Sequence, residues 1–86
     1  MLKFASAAKS AFLEEPFGTA NNRLRRNLIF SLVVAAKRNE CFRCGDTIES
    51  VETFSIDHIK DWLHVDKALF WDVSNLAFSH RKCNKQ

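Results

Sequence analysis

The stretch Cys41-Phe42-Arg43-Cys44-Gly45 decides how this chain folds, together with its counterpart His80-Arg81-Lys82-Cys83-Asn84. Each stretch carries two side chains of types that can bind zinc, spaced as C-x-x-C in the first stretch and H-x-x-C in the second. Two such pairs supply the four thiolate or imidazole donors that a structural zinc ion takes in tetrahedral geometry. We therefore predict one zinc site that joins the two stretches, with the ligands Cys41, Cys44, His80 and Cys83. Gly45 is expected to provide the unusual backbone conformation that lets amides approach the thiolates.

Length and composition limit the class of protein. A chain of 86 residues fits one domain and buries a smaller fraction of its surface than larger domains do, so a cross-link is expected. Three cysteines make an odd number, and the N-terminus lacks the apolar segment of a signal peptide, which argues for a reduced, cytoplasmic metalloprotein. A C-x-x-C motif can also be a redox-active pair of cysteines, but no βαβ pattern surrounds this one. The longest apolar run, 32–36, is too short for a membrane span.

The first half of the chain is predicted to be helical. Residues 1–17 form an N-terminal arm with a short helix that ends before Pro16, and residues 18–86 form the main domain. Thr19 is a suitable N-cap for a helix over residues 20–38. Its apolar residues recur at i, i+4 spacing and form a stripe along one side of the helix, which we expect to pack on the half of the chain that is predicted to bind zinc. The stripe comprises Leu24, Leu28, Leu32 and Ala35, and it is widened by Ile29, Val33 and Ala36.

A net charge of +3 and a pI near 9.0 are mild indications of a polyanionic partner. Arg23, Arg25 and Arg26 lie at the start of the long helix. They are either a solvated basic face or contacts to a phosphate backbone, and the charge pattern leaves both open.

The second half contains two predicted strands. Residues 51–56 alternate apolar and polar, which predicts a half-buried strand with Val51, Phe54 and Ile56 facing inward. Residues 76–78 form a second strand, and 80–86 a short helix with Ser79 as its N-cap. On that helix Cys83 and Asn84 point about 100° apart, so Cys83 can face zinc while Asn84 faces Asp57. The aromatic residues of the connection 59–74 are expected to pack on the core: Trp62, Phe70 and Trp71.

Three polar side chains suggest a second, hydrolytic metal site. Asp57 is an acceptor for a hard cation, and the neighbouring imidazole of His58 can take a proton near neutral pH. The amide oxygen of Asn84 is a weak ligand for a magnesium-type ion. Taken alone, a histidine such as His58 is more often a hydrogen-bonded structural residue than a catalytic one.

The order of these motifs resembles the HNH endonucleases, the ββα-metal nucleases with a zinc knuckle. The resemblance covers C-x-x-C, Ile56-Asp57-His58-Ile59, Asn75-Leu76, and then His80, Cys83 and Asn84. Asn84 stands where the family often has histidine, and His80 where many members have cysteine. A wider run is similar to small bacteriophage HNH proteins associated with genome packaging; it comprises residues 18–20, 23–25, 69–72 and 77–80.

The resemblance implies an α+β fold, a small zinc-stapled ββα-metal domain (HNH, treble-clef-like) that follows a long amphipathic helix. It also implies roles: His58 as general base, Asp57 and Asn84 as ligands of a catalytic Mg²⁺, Mn²⁺ or Ni²⁺, and Asn75 as the residue that orients His58. The implied function is a metal-dependent DNA endonuclease, encoded by a phage and active in the host cytoplasm, with DNA and terminase or other packaging proteins as partners. The alternative is a catalytically inert, zinc-stabilised module that binds DNA or protein.

Overall fold

The structure is a computed structural model that describes residues 2–84, with side chains from residue 6 onward. This part of the chain contains three helices and a two-stranded sheet. The helices are α1 (Leu2–Leu13), α2 (Phe17–Ala35) and α3 (Ala68–Trp71). The strands are β1 (Phe54–His58) and β2 (Leu76–His80), with 3₁₀ turns at Val73–Asn75 and Arg81–Cys83. The predicted fold class is confirmed: a small α+β domain with a ligand cluster suited to zinc, preceded by a long helix.

Pro16 separates α1 from α2. Helix α1 ends at Leu13, before the proline as predicted, but α2 begins at Phe17, so Thr19 lies inside its first turn and is not the N-cap. Pro16 itself takes that place because its extended conformation lets its carbonyl accept the first helical hydrogen bond, from the Ala20 amide at 3.0 Å. The two helices contact each other near this junction, where the Phe17 amide donates to Ser10 Oγ at 2.8 Å.

Helix α2 ends at Ala35, three residues earlier than predicted. Lys37 adopts a left-handed conformation with φ of 58°. The amides of Lys37 and Arg38 then donate to the carbonyls of Val34 and Val33, each at 2.9 Å. This is the Schellman arrangement, which satisfies the last carbonyls of a helix and turns the chain away from its axis. The charged residues 37 and 38 therefore follow α2 instead of extending it.

Only part of the predicted apolar stripe of α2 packs on the cysteine-bearing half of the chain. Ile29, Phe30 and Val33 join the core. Ile29 and Val33 belong to the predicted stripe, whereas its central leucines are exposed, at 64% for Leu24, 56% for Leu28 and 60% for Leu32. The sequence allowed either rotation because α2 has apolar residues on more than one face. Phe30 reaches the sheet on one of them, and the core forms on that side.

The strands pair antiparallel, with Phe54 opposite His80 and His58 opposite Leu76. Residues 51–53 form a turn, closed by a 3.2 Å hydrogen bond from the Phe54 amide to the Val51 carbonyl, so β1 starts three residues later than predicted. Phe54 is buried as predicted. Ile56 is 41% exposed because it lies at an open groove between α2 and β1. The second strand is confirmed and extends to His80.

The hydrophobic core lies between α2, the first cysteine pair and the sheet. Its buried members are Val33, Cys41, Ile48 and Phe54. A short bridge between residues 40 and 47 closes the turn that carries the cysteines, which we call the zinc knuckle, residues 39–48. The Phe42 amide donates to the Phe78 carbonyl at 2.8 Å and fastens the knuckle to β2. One predicted ligand, Cys41, is thus part of the core.

The segments after the strands differ from prediction. Only the 3₁₀ turn Arg81–Cys83 follows β2, while residues 85 and 86 of the predicted final helix lie outside the described residues. Ser79 is buried within β2 and does not cap that turn. In the connection, Trp71 is 77% exposed and packs edge-on against Phe70 instead of entering the core. Along residues 2–84, none of the helices combines the length and the apolar character that crossing a membrane requires.

Candidate metal centre and active site

The four predicted zinc ligands meet at one place. The ligand atoms of Cys41, Cys44, His80 and Cys83 all lie within 4.8 Å of one another, although 36 residues separate Cys44 from His80. A tetrahedral zinc ion with bonds of about 2.0–2.3 Å separates its ligands by about 3.5–3.8 Å, so the cluster needs little adjustment to hold one. The donor set, three thiols and one imidazole, is typical of a structural zinc site.

The imidazole of His80 is oriented for metal binding. Its Nε2 lies 3.1 Å from the Thr47 carbonyl oxygen, which can only accept a hydrogen bond. Nε2 therefore carries the proton, and Nδ1 keeps its lone pair. Nδ1 faces the sulfurs, 3.3 Å from Sγ of Cys44 and 3.9 Å from Sγ of Cys83. Second-sphere hydrogen bonds of this kind fix the tautomer of a ligating histidine.

The knuckle stabilises Cys41 as a thiolate. Its Sγ accepts the backbone N–H groups of Arg43, Cys44 and His80, each at 3.4 Å. Burial raises the pKa of Cys41, but these amide donors outweigh it and lower the pKa to about 6. Gly45 adopts φ of 83° and donates to the Cys41 carbonyl at 2.9 Å, as expected for the residue that closes the turn.

Cys83 shows the opposite effect. Burial, together with the neighbouring thiols of Cys44 and Cys41, raises the pKa of Cys83 to about 11. Sulfurs this close repel one another when several are ionised. A divalent cation among them reverses that effect because thiolate coordination compensates the negative charge.

His58 lies at the last position of β1. Its ring stacks on Phe70, with centroids 5.3 Å apart, and approaches Trp62 at 5.9 Å. Its Nε2 lies 3.1 Å from the Phe70 carbonyl oxygen, so Nε2 is the donor and Nδ1 is the basic nitrogen of the neutral ring. The backbone of the connection thus sets the tautomer of His58.

Asp57 is fully buried and paired with an arginine of the zinc knuckle. Arg43 binds it as a fork: Nε donates to Oδ2 at 2.8 Å, and a terminal nitrogen donates to Oδ1 at 2.9 Å. The His58 amide donates to Oδ1 at 2.7 Å. The Arg43 guanidinium holds the pKa of the Asp57 carboxyl below its usual range, against the opposing effect of burial. Asp57 and His58 are adjacent at the end of β1, and their side chains have different main partners: Arg43 for Asp57 and Phe70 for His58.

Asn75 connects the two ends of the loop around His58. Its Oδ1 accepts the Lys60 amide at 2.9 Å, and its Nδ2 donates to the carbonyls of Lys60 at 3.1 Å and Leu69 at 3.0 Å. Lys60 follows His58 by two residues, and Leu69 precedes Phe70. The side chain is buried, so these bonds fix the loop from inside.

Asn84 lies beside β1. Its Nδ2 donates to Ser55 Oγ at 3.3 Å and to the Ile56 carbonyl at 3.1 Å. Ser55 and Asp57 are two residues apart in the strand and share a face, so Asn84 and Asp57 lie on the same side of β1. Carboxylate and amide oxygens suit a hard divalent cation.

The sequence of this part of the chain matches a family model. The model, described as HNH endonuclease, covers residues 41–86. The chain belongs to the HNH endonuclease family. No curated protein and no solved structure matches it significantly. The matched HNH segment contains all eight side chains of the two candidate sites: Cys41, Cys44, His80 and Cys83 of the zinc cluster, and Asp57, His58, Asn75 and Asn84.

The arginines predicted to bind DNA precede the HNH segment, on α2. Arg23 forms two hydrogen bonds with Glu15, at 2.9 and 2.8 Å. Arg26 donates to the Val51 carbonyl at 2.8 Å, and its Nε is buried without a hydrogen-bond partner among the described residues. Arg25 is exposed. It borders a groove of about 330 Å³ lined by Asn22, Arg25, Arg26, Ile29, Phe54, Ser55, Ile56 and Arg81.

Sequence reasoning missed several partners in this HNH domain. Arg43 sits between two candidate zinc ligands, but its partner Asp57 is 14 residues away and no local pattern connects them. Arg81 follows a zinc ligand and lines the groove beside Arg25. The carbonyls of Thr47 and Phe70 carry no signal in a sequence because every residue has one.

Proposed function

We propose that this HNH domain is a metal-dependent endonuclease that hydrolyses phosphodiester bonds in DNA. The observation that carries the proposal is the hydrogen bond from His58 Nε2 to the Phe70 carbonyl. It leaves Nδ1 as the proton acceptor of a ring held between aromatic neighbours. A general base needs this combination of a fixed ring and a defined tautomer.

In the proposed reaction, His58 takes a proton at Nδ1 from the attacking water. The water oxygen forms a bond to phosphorus while the bond to the leaving 3′ oxygen breaks. Asp57 and Asn84, hard oxygen donors on one side of β1, would hold a catalytic Mg²⁺, Mn²⁺ or Ni²⁺. When bound, such an ion supplies positive charge to the scissile phosphate and the leaving oxygen. Asn75 acts as a positioning residue because it fixes the loop that holds the His58 ring.

We also propose roles for the four-residue cluster and for the arginines of α2. The four-residue cluster holds a structural zinc ion, and residues 18–86 form the nuclease domain after an arm of residues 1–17. Arg25 contacts DNA phosphates from its exposed position, and Arg23 and Arg26 add positive charge around it. The link to phage genome packaging, with terminase proteins as partners in a bacterial cytoplasm, rests on the sequence resemblance alone.

A second candidate function is a zinc-stabilised module that binds DNA or protein without cutting. The burial of Asp57 and its fork with Arg43 favour it because they occupy a proposed metal ligand. Cleavage of DNA by the folded protein distinguishes the endonuclease from the binding module.

The test is cleavage of supercoiled plasmid at low salt by zinc-loaded protein, with and without added Mg²⁺, Mn²⁺ or Ni²⁺. The wild type is expected to cut only with added metal. His58→Ala should abolish cutting but keep the zinc content and DNA affinity. His64→Ala is the matched control, since His64 is an exposed histidine of the connection, and it should cut like the wild type. If the His58→Ala variant cuts normally, or the folded wild type never cuts, the nuclease proposal is wrong.

A further inference from the structure

The carboxylate of Asp57 is saturated with hydrogen-bond donors. A carboxylate has about four acceptor positions. Arg43 fills two of them, the His58 amide donates to a third, and the Ser79 hydroxyl also donates to Asp57. The side chain is 0% exposed. A cation can therefore coordinate Asp57 only if one of these donors leaves.

The donors differ in how easily they can leave. The His58 amide belongs to the backbone of β1, and Ser79 is fully buried in β2, so the sheet fixes both. Arg43 has a long side chain that remains 29% exposed. Its other contacts are weak or peripheral: a 3.3 Å hydrogen bond to the His58 carbonyl and the ring of Phe42 at 5.2 Å. Arg43 is the donor that can move into solvent.

We propose that Arg43 competes with the divalent cation for the Asp57 carboxylate, so that the cation binds only when the guanidinium has moved away. This inference rests on the proposed function, which assigns Asp57 to the catalytic cation. The competition has two parts: the guanidinium occupies the ligand oxygens, and its positive charge opposes a second cation. Arg43 is anchored between Cys41 and Cys44, so the zinc knuckle keeps the competitor beside its target.

The test is a Mn²⁺ titration of the zinc-loaded full chain without DNA, in which electron paramagnetic resonance measures unbound Mn²⁺. Four proteins form a cycle: wild type, Arg43→Met, Asp57→Asn and the double variant. Arg43→Met is expected to bind Mn²⁺ about tenfold more tightly than the wild type, the scale of one close interaction. Asp57→Asn should bind more weakly than the wild type. In the Asp57→Asn background, the Arg43 substitution should leave the affinity nearly unchanged.

Two results overturn the inference. One is Mn²⁺ affinity in Arg43→Met that is no higher than in the wild type. The other is an equal increase with and without Asp57, which would mean that Arg43 acts only through general repulsion. Zinc content and circular dichroism verify the fold, and Arg43→Gln, also neutral, replaces Arg43→Met if the latter does not fold.

Plasmid cleavage keeps this inference separate from the proposed function. A wild type that cuts, combined with an Arg43→Met variant that binds Mn²⁺ no more tightly, refutes the competition alone. The expected Mn²⁺ cycle in a protein that does not cut supports the competition and refutes the nuclease.

Discussion

The rings of Phe30 and Phe54 lie 5.1 Å apart at an angle of 52°, and this contact joins α2 to β1. Phe54 also approaches Phe78 of β2 at 5.6 Å and is only 1% exposed. One side chain thus connects the long helix with both strands. The strand that ends in Asp57 and His58 is held against α2 through it.

Replacing Phe54 with alanine should therefore destabilise the whole domain. Loss of a buried phenylalanine costs about 3–5 kcal/mol, since burial is lost and a cavity remains. Urea denaturation of the zinc-loaded protein measures the effect. Phe12→Ala is the matched control because Phe12 is 87% exposed, and it should change the free energy of unfolding by less than about 0.5 kcal/mol. Similar effects of the two substitutions would contradict this account of the core.

Removal of a zinc ligand should unfold the domain. Cys44→Ser removes a donor from the cluster, and structural zinc binding supplies folding free energy in a chain this small. We expect one zinc ion per wild-type chain by atomic absorption, and loss of both zinc and cooperative unfolding in the variant. His80→Ala should behave similarly, whereas His64→Ala should keep its zinc. A cooperative fold without zinc would refute the assignment.

Asn75→Ala should destabilise the loop around His58. The substitution leaves the partly buried amide and carbonyl of Lys60 and the partly buried carbonyl of Leu69 without their partner. Each buried polar group that loses its partner costs about 1–3 kcal/mol, so the total should exceed that of most surface changes. Denaturant unfolding measures this loss. Asn27→Ala replaces an exposed asparagine of α2 and should be nearly neutral. Equal stability of the two variants would show that Asn75 is not a positioning residue.

Arg25→Ala should weaken DNA binding more than Arg23→Ala. Arg25 is exposed beside the groove, while Arg23 is engaged with Glu15. Loss of one phosphate contact should reduce the slope of log affinity against log salt concentration by about 1. Fluorescence anisotropy with a labelled duplex at several salt concentrations measures both quantities. Arg81→Ala should resemble Arg25→Ala because Arg81 borders the same groove. A larger effect of Arg23→Ala would place the DNA elsewhere.

The zinc cluster could be predicted from the sequence because the types of its ligands and their spacing are visible within two short segments. Two pairs of soft donors, each with two residues between its members, are a recognisable pattern. The tetrahedral preference of such an ion predicts that Cys44 and His80 lie close together, and Sγ of Cys44 is 3.3 Å from Nδ1 of His80. The β2 strand and the helix that ends before Pro16 were predictable for a similar reason, since both follow from short runs of residues.

The exact rotation of α2 about its axis could not be predicted, because the predicted stripe is wider than the face that packs. Leu28 and Val33 are both apolar and lie on different sides of the helix, but only Val33 is buried. Which side faces the core depends on where Phe54 and the knuckle lie in space, and periodicity within α2 carries no information about them. The end of α2 at Ala35 likewise depends on the left-handed turn at Lys37, a conformation that lysine rarely signals.

The sequence by itself determined which residues can bind metal, which can accept a proton, and the family to which the chain belongs. Only the tertiary structure decided what those residues touch: the fork of Arg43 on Asp57, the Phe70 carbonyl on His58, and the Thr47 carbonyl on His80. The physical reason is the separation along the chain between the residues that interact. Side-chain chemistry and spacing are written along the chain, whereas a hydrogen bond to a distant backbone or arginine exists only after packing has brought its partners within about 3 Å.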